Sequence, residues 1–310
     1  MSSVIPRDII VLIEPPGYAM ARITLPLLIV LVAASNAVAG DGSRVFSDAD
    51  IKGNYGLLAQ GNSVISDTSI SFPAVIVATL FSDGKGNLQG NGTVNPGGPV
   101  SELEPGQPVK ITGTYDVDTD GTGDFTASAT SSSPSARSDS SDSPSIQLGG
   151  ALVISASDNA VQLVSTQTDR VLYTILKKQR PPEEGFSNAT LRGAWGLECH
   201  GTLVMATEDP TAVEFPVAVI GLMTNDGHGK FSAEITANTN GVVIQENFSG
   251  VNSVAGDGTL SATATGTDPL LARLSGILND SNEFRAITTD PGRIVSCTFT
   301  AQGRRDEGRD

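Results

Sequence analysis

The feature that most constrains this chain is that one segment is written in it twice. "FSDADIKGNYGLLAQG" from Phe46 aligns without gaps on "FSNATLRGAWGLECHG" from Phe186, and "FPAVIVATLFSDGKG" from Phe72 aligns on "FPVAVIGLMTNDGHG" from Phe215. "GTYDVDTDGT" from Gly113 answers "GVNSVAGDGT" from Gly250, and Thr168-Asp169 answers Thr289-Asp290. Four anchors in one order, with spacings that shift by only a few residues until a late insertion, mark a tandem duplication. Whatever fold the chain adopts must therefore be built by each half separately. The halves are residues 40–179 and 186–302, joined by a linker over 180–185 with a polar tail over 303–310. One late insertion, the Ser-rich stretch over 128–145, distinguishes the first copy, and its composition builds no core.

Within each copy, short runs of alternating apolar and polar residues are broken by turn residues. The first copy shows about eight: Tyr55–Leu58, Phe72–Phe81, Asn87–Asn95, Val109–Asp118, Asp124–Thr130, Ile146–Ala156, Ala160–Thr168 and Arg170–Lys178. Asp-Gly pairs at Asp83, Asp120, Asp226 and Asp257 are tight hairpin turns, because Asp and Gly accept the left-handed backbone that such turns need. The 34 glycines and the scarcity of long runs of helix formers agree with an all-β protein. Successive hairpins predict two antiparallel domains, each most simply an eight-stranded up-and-down barrel that hides its sheet edges, with a β-sandwich as the alternative. "AVIVATLF" and "VAVIGLM" are apolar on both faces. The outward face of that strand in each copy needs a cover, and packing of one copy on the other supplies it.

Residues 1–39 read as an upstream extension plus a secretory leader. The leader runs from Met20, with Arg22 before an apolar segment and Ala37-Val38-Ala39 as the cleavage site. That segment is too short for a permanent span, and no stable membrane anchor is expected. The chain is then exported, to the periplasm or outside the cell, and begins near Gly40. Nineteen Lys plus Arg against 34 Asp plus Glu, a net charge of -15, oppose nucleic acids and anionic membrane surfaces as partners.

The two cysteines fall in the first and last strands of the second copy, Cys199 and Cys297, which a closed meander makes neighbours. The corresponding places in the first copy, Ala59 and about Thr174 or Ile175, both lack cysteine. A pair present together in one copy and absent together from the other, in an exported chain, predicts a Cys199–Cys297 disulfide.

Asp116, Asp118 and Asp120 with Gly121 match the first half of a calcium loop, but Ala127 stands where the closing Glu belongs. Calcium at these three carboxylates would need an outside ligand; no other cofactor is expected. Alternation along a strand explains the same spacing. His200 adjoins Cys199, yet neighbours on a strand face opposite ways, so the two form no nucleophile–base pair. No G-x-S-x-G, H-E-x-x-H or paired C-x-x-C occurs, and no catalytic residue stands out.

Gly53-Asn54-Tyr55 and Gly193-Ala194-Trp195 open the first strand of each copy, and Gly-x-Trp in that place resembles the lipocalin signature. Tyr55 and Trp195 then pack the barrel floor or touch a ligand. The order G-x-[YW], DGxG, G-x-Y with DGTG also resembles uncharacterised exported bacterial proteins with such β-domains, a resemblance that implies export and β architecture and no activity. The expectation is a non-catalytic module that binds a small apolar ligand or a protein partner. The alternatives are a barrel enzyme (cyclase, isomerase or hydrolase) and a calcium-stabilised adhesion protein. A pocket with convergent polar groups favours the enzyme. A filled interior favours interaction through the surface.

Overall fold

The computed structural model describes residues 44–65, 70–97, 103–132, 145–155, 159–167, 170–205, 213–266 and 269–303. The expected leader within residues 1–39, most of the Ser-rich insertion, the Thr168-Asp169 anchor and the tail beyond Gly303 lie outside them. The first copy contributes β1 Gly53–Ile65, β2 Ile70–Ser82, β3 Asn87–Pro96, β4 Gln107–Val117, β5 Thr122–Ser131, β6 Ser145–Ser155, β7 Ala160–Ser165 and β8 Arg170–Lys178. The second contributes β9 Gly193–Met205, β10 Val213–Asn225, β11 Lys230–Thr239, β12 Val242–Val254, β13 Thr259–Thr265, β14 Arg273–Leu278, β15 Glu283–Thr288 and β16 Arg293–Gln302.

Each set pairs in sequence order and closes on itself, giving two antiparallel eight-stranded barrels. Closure is made by β8 returning to β1, from Tyr55 opposite Lys178 to Ser63 opposite Arg170, and by β16 returning to β9. The sandwich alternative is thereby excluded. The first strand runs well beyond the expected Tyr55–Leu58, through the polar stretch Gln60-Gly61-Asn62-Ser63. Neighbours on both sides, β2 and β8, take up its backbone groups, so pairing and not hydrophobic alternation sets its length.

One end of each barrel is closed by a 3-10 helix, over Asp48–Ile51 and over Asn188–Leu191. Ile51 and Leu191 point into the cores and are buried. Asp48 and Asn188 play one part in both copies: their Oδ1 atoms accept the backbone N–H of Val117 and of Val254, each at 2.9 Å. The helix thus satisfies an edge donor that the fourth strand of its barrel would otherwise leave open.

From Arg44 onward the chain forms one compact unit, and the barrels pack directly on each other. Leu58, Val75 and Val77 on the outer face of β1 and β2 meet Ile277, Ile287 and Ile294 on the outer face of β14, β15 and β16. Burying each such side chain contributes about 1.5–3 kcal/mol. Polar groups frame this patch. Asn95 Nδ2 donates to the carbonyl oxygens of Thr288 (2.6 Å) and Arg293 (2.8 Å). The Ser296 hydroxyl donates to Gln60 Oε1 at 2.6 Å, and Lys177 pairs with Glu283. Gly56 is required here, because a Cβ would lie 2.2 Å from Asn279 Oδ1 of the other barrel.

The expectation that each doubly apolar strand is covered by the other copy holds for β2 only. In the second copy the corresponding outward residues of β10, Ile220 and Leu222, are exposed. The reason is geometric: the barrels do not meet through equivalent faces, so covering one β2-type face does not cover the other.

Candidate functional site

The interior is the first place to look for a site. Inward residues of β9, β15 and β16 fill the floor of the second barrel with aromatic rings. Trp195 lies edge-on to Phe284 at 5.0 Å between ring centres, and Phe284 stacks on Phe299 at 4.1 Å. Trp195 Nε1 donates to the Leu191 carbonyl of the closing helix at 2.6 Å, so its polar atom is used in holding the plug and not turned to a cavity. In the first barrel the same three places carry Tyr55, Val161 and Leu176. Burial, with Tyr115 and then Asp50 nearby, pushes the Tyr55 hydroxyl up to about 12. Tyr115 shares a hydrogen bond of 2.6 Å with the Ser82 hydroxyl.

Among the described residues, the smaller side chains line two apolar voids in the first barrel, of about 20 and 30 Å³. The first touches Tyr55, Tyr115 and Ser82, and the second is lined by Leu57, Ile111, Leu148 and their neighbours. Sites for drug-sized ligands span roughly 300–1,000 Å³, whereas about 10–15 Å³ suffices for one water. These voids accept one or two water-sized molecules. Tyr55 and Trp195 are both buried in the floors of their barrels.

The three aspartates are not brought together around a common point. Asp116 stands on β4 opposite Asp124 of β5. Asp120 is turned into the hairpin, where its Oδ1 accepts the N–H (2.9 Å) and the hydroxyl (2.6 Å) of Thr122. Those donors hold the Asp120 carboxyl below the usual carboxylate range, the Thr122 hydroxyl first. Asp257 and Thr259 repeat the arrangement in the second copy, with Gly121 and Gly258 both at φ 88°. Among the described residues no group of three or more His, Cys, Asp or Glu side chains is placed to hold a metal ion.

Cys199 and Cys297 form the disulfide, directly opposite each other on β9 and β16 with Cα atoms 4.0 Å apart. Their counterparts Ala59 and Thr174 also sit opposite each other, on β1 and β8. His200 lies on the outer face of β9, away from the disulfide.

The outer faces carry the features that sequence reasoning missed. An open groove of about 600 Å³ runs over the outside of the second barrel, along Glu198, Ile220, Leu222, Glu234 and Thr300. A second cleft of about 390 Å³ lies at the junction of the barrels, between Gln60, Val171, Tyr173, His200 and Ser296. The first barrel also exposes the apolar residues Val153, Val164 and Val171 on β6, β7 and β8, and Val171 belongs to this cleft as well. The available signal was the alignment of the two copies read for outward positions rather than inward ones. Among the described residues no helix is long and apolar enough to cross a membrane. No protein-family model matches the chain, and no curated protein matches it either.

Proposed function

We propose that the protein is an exported, non-catalytic interaction module that meets its partner through the outer faces of its barrels. The observation that carries this reading is the filled interior, whose voids of about 20 and 30 Å³ are far below the volume of an organic ligand, set against broad grooves outside. Export is supported by the Cys199–Cys297 disulfide and by the leader-like segment from Met20 to Ala39. The resemblance to exported bacterial β-domain proteins agrees with it. The net charge of -15 directs the surface away from nucleic acids and anionic lipids.

A native mass spectrum of the protein recovered after export with its own leader tests the reading. The expected monomer mass is that of the chain from Gly40 less the two hydrogens lost in one disulfide, with no adduct. An organic molecule that stays bound to the monomer through desolvation, and is released on unfolding, would overturn it in favour of an interior carrier.

A further inference from the structure

We infer that the contact between the two barrels is one step of a head-to-tail series, and that the faces left over at its ends join one molecule to the next. The inference rests on the surface-interaction reading above and names the partner as another molecule of this chain. Its basis is the unequal use of the two copies. The internal contact takes the β1–β3 face of the first barrel and the β14–β16 face of the second. It is heterologous, so each barrel retains the face that the other has used, and a heterologous contact repeats into a ring or an open series.

Strand register identifies the leftover residues one by one. Thr122 faces Val153 across β5 and β6, and its equivalent Thr259 faces Ile277 across β13 and β14. By the same pairing Val164 answers Ile287 and Val171 answers Ile294. The three isoleucines are at most 1% exposed in the internal contact, while Val153, Val164 and Val171 are 44%, 51% and 70% exposed. On the second barrel, Ile220 answers Val77, and it is 64% exposed where Val77 is 2%. Four apolar side chains therefore stand in water at the places where their counterparts form a core. Exposed β-branched residues clustered in this way mark an interaction surface.

The match extends beyond hydrophobicity. Each of the three positions on the first barrel has lost a methylene (Ile to Val) and the position facing them has gained only one (Val77 to Ile220), so the aliphatic contacts are kept with less volume across the joint. Gly56, which admits the other barrel's Asn279, is answered by Gly196. Asn95, whose amide clasps two carbonyls of the second barrel, is answered by the exposed Asn238. The carbonyls at the corresponding ends of β7 and β8 belong to Ser165 and Arg170. The groove along Glu198, Ile220 and Leu222 is this docking face without its partner. Two residues of the apolar patch depart from the pattern: the exposed Ala218 stands where the internal contact has Val75, and Glu198 stands where it has the buried Leu58. A carboxylate there must lose water on docking, which makes the joint between molecules weaker than the one within the chain.

The test uses the exported full chain, its Ile220→Asp and Val164→Asp variants, and a one-to-one mixture of the two, followed by native mass spectrometry and sedimentation over a concentration series. Both positions are exposed; Trp195 emission checks the fold of the second barrel for Ile220→Asp, and circular dichroism with thermal unfolding checks the first barrel for Val164→Asp. The wild type is expected to form larger species as concentration rises, and each variant alone to remain a monomer. The mixture is expected to form a pair and stop there, because only one intact face of each kind remains. Glu198→Leu is expected to lower the dissociation constant about tenfold or more, since it restores a buried aliphatic contact.

A wild type that stays monomeric at the highest concentration it tolerates overturns the series. So does association that survives either single variant, or a mixture that yields no pair. A monomer without a bound ligand would leave the surface-interaction reading standing, while a ligand-loaded monomer would remove that reading by itself.

Discussion

Replacing the cysteines by the residues that the first copy carries at the same places, Cys199→Ala with Cys297→Thr, isolates what the disulfide contributes. The substitution is a mild one sterically, because Ala59 and Thr174 already face each other in an intact barrel of the same design. The native barrel has little need of the bond: β9 and β16 pair along their length from Arg293 opposite Leu203 to Gln302 opposite Ala194. The effect must therefore fall on the unfolded chain. The bond joins positions 98 residues apart. A closed loop of that size loses conformational entropy worth about 4.7 kcal/mol at 25 °C in the chain-entropy relation, and measured disulfides more often give about 2–4 kcal/mol because unfolded chains retain structure. Urea unfolding followed by tryptophan fluorescence reads the change in the right place, since Trp195 is the chain's single tryptophan and sits 1% exposed in the affected barrel. The expected result is an unchanged native spectrum, a loss of about 2–5 kcal/mol, and a steeper dependence on urea as the unfolded chain expands. A loss below about 1 kcal/mol would refute the entropic argument. A native spectrum already altered without denaturant would show instead that the bond, and not the strand ladder, holds the barrel shut.

Two further outcomes follow from charged groups. Glu283 is pulled in opposite directions: burial raises its pKa, but the hydrogen bond from Lys177, the Arg285 charge and the Asn279 amide together hold it below the ordinary value. A lowered folded pKa means stability that is present above the unfolded value of about 4.3 and lost as pH falls through the folded one. Melting temperature should thus drop on acidification below that point, and Lys177→Met should flatten the drop; equal slopes in the two proteins would contradict the pairing between barrels. Asp120→Ala removes the acceptor for both Thr122 donors and should lower the melting temperature by the same amount in calcium and in chelator, with Asp116→Asn neutral in both. A chelator-sensitive wild type whose sensitivity is lost in either variant would assign these carboxylates to calcium instead.

Much of this architecture was legible before any coordinates. The meander and the partnership of Cys199 with Cys297 follow from local alternation, turn residues and order along the chain, and a closed eight-strand meander turns order directly into adjacency. The Asp-Gly turns were legible for the same reason, since the left-handed backbone of Gly121 and Gly258 is a demand of the hairpin alone. Tyr55 and Trp195 were marked for the barrel floor, but whether the space around them was empty depended on residues far apart in sequence. Val161 against Phe284, and Leu176 against Phe299, decide it only when three strands are brought together. The faces of the barrels lay furthest from view. An outward Val or Ile has the same local pattern whether it ends in water or under a neighbour, so Ile287 and Val164 are indistinguishable until the barrels are docked. Sequence determined what each copy must be, because strand and turn preferences act over a few residues. Tertiary structure alone decided which faces are spent inside the molecule and which remain for a partner, because burial is settled by the contact of whole surfaces.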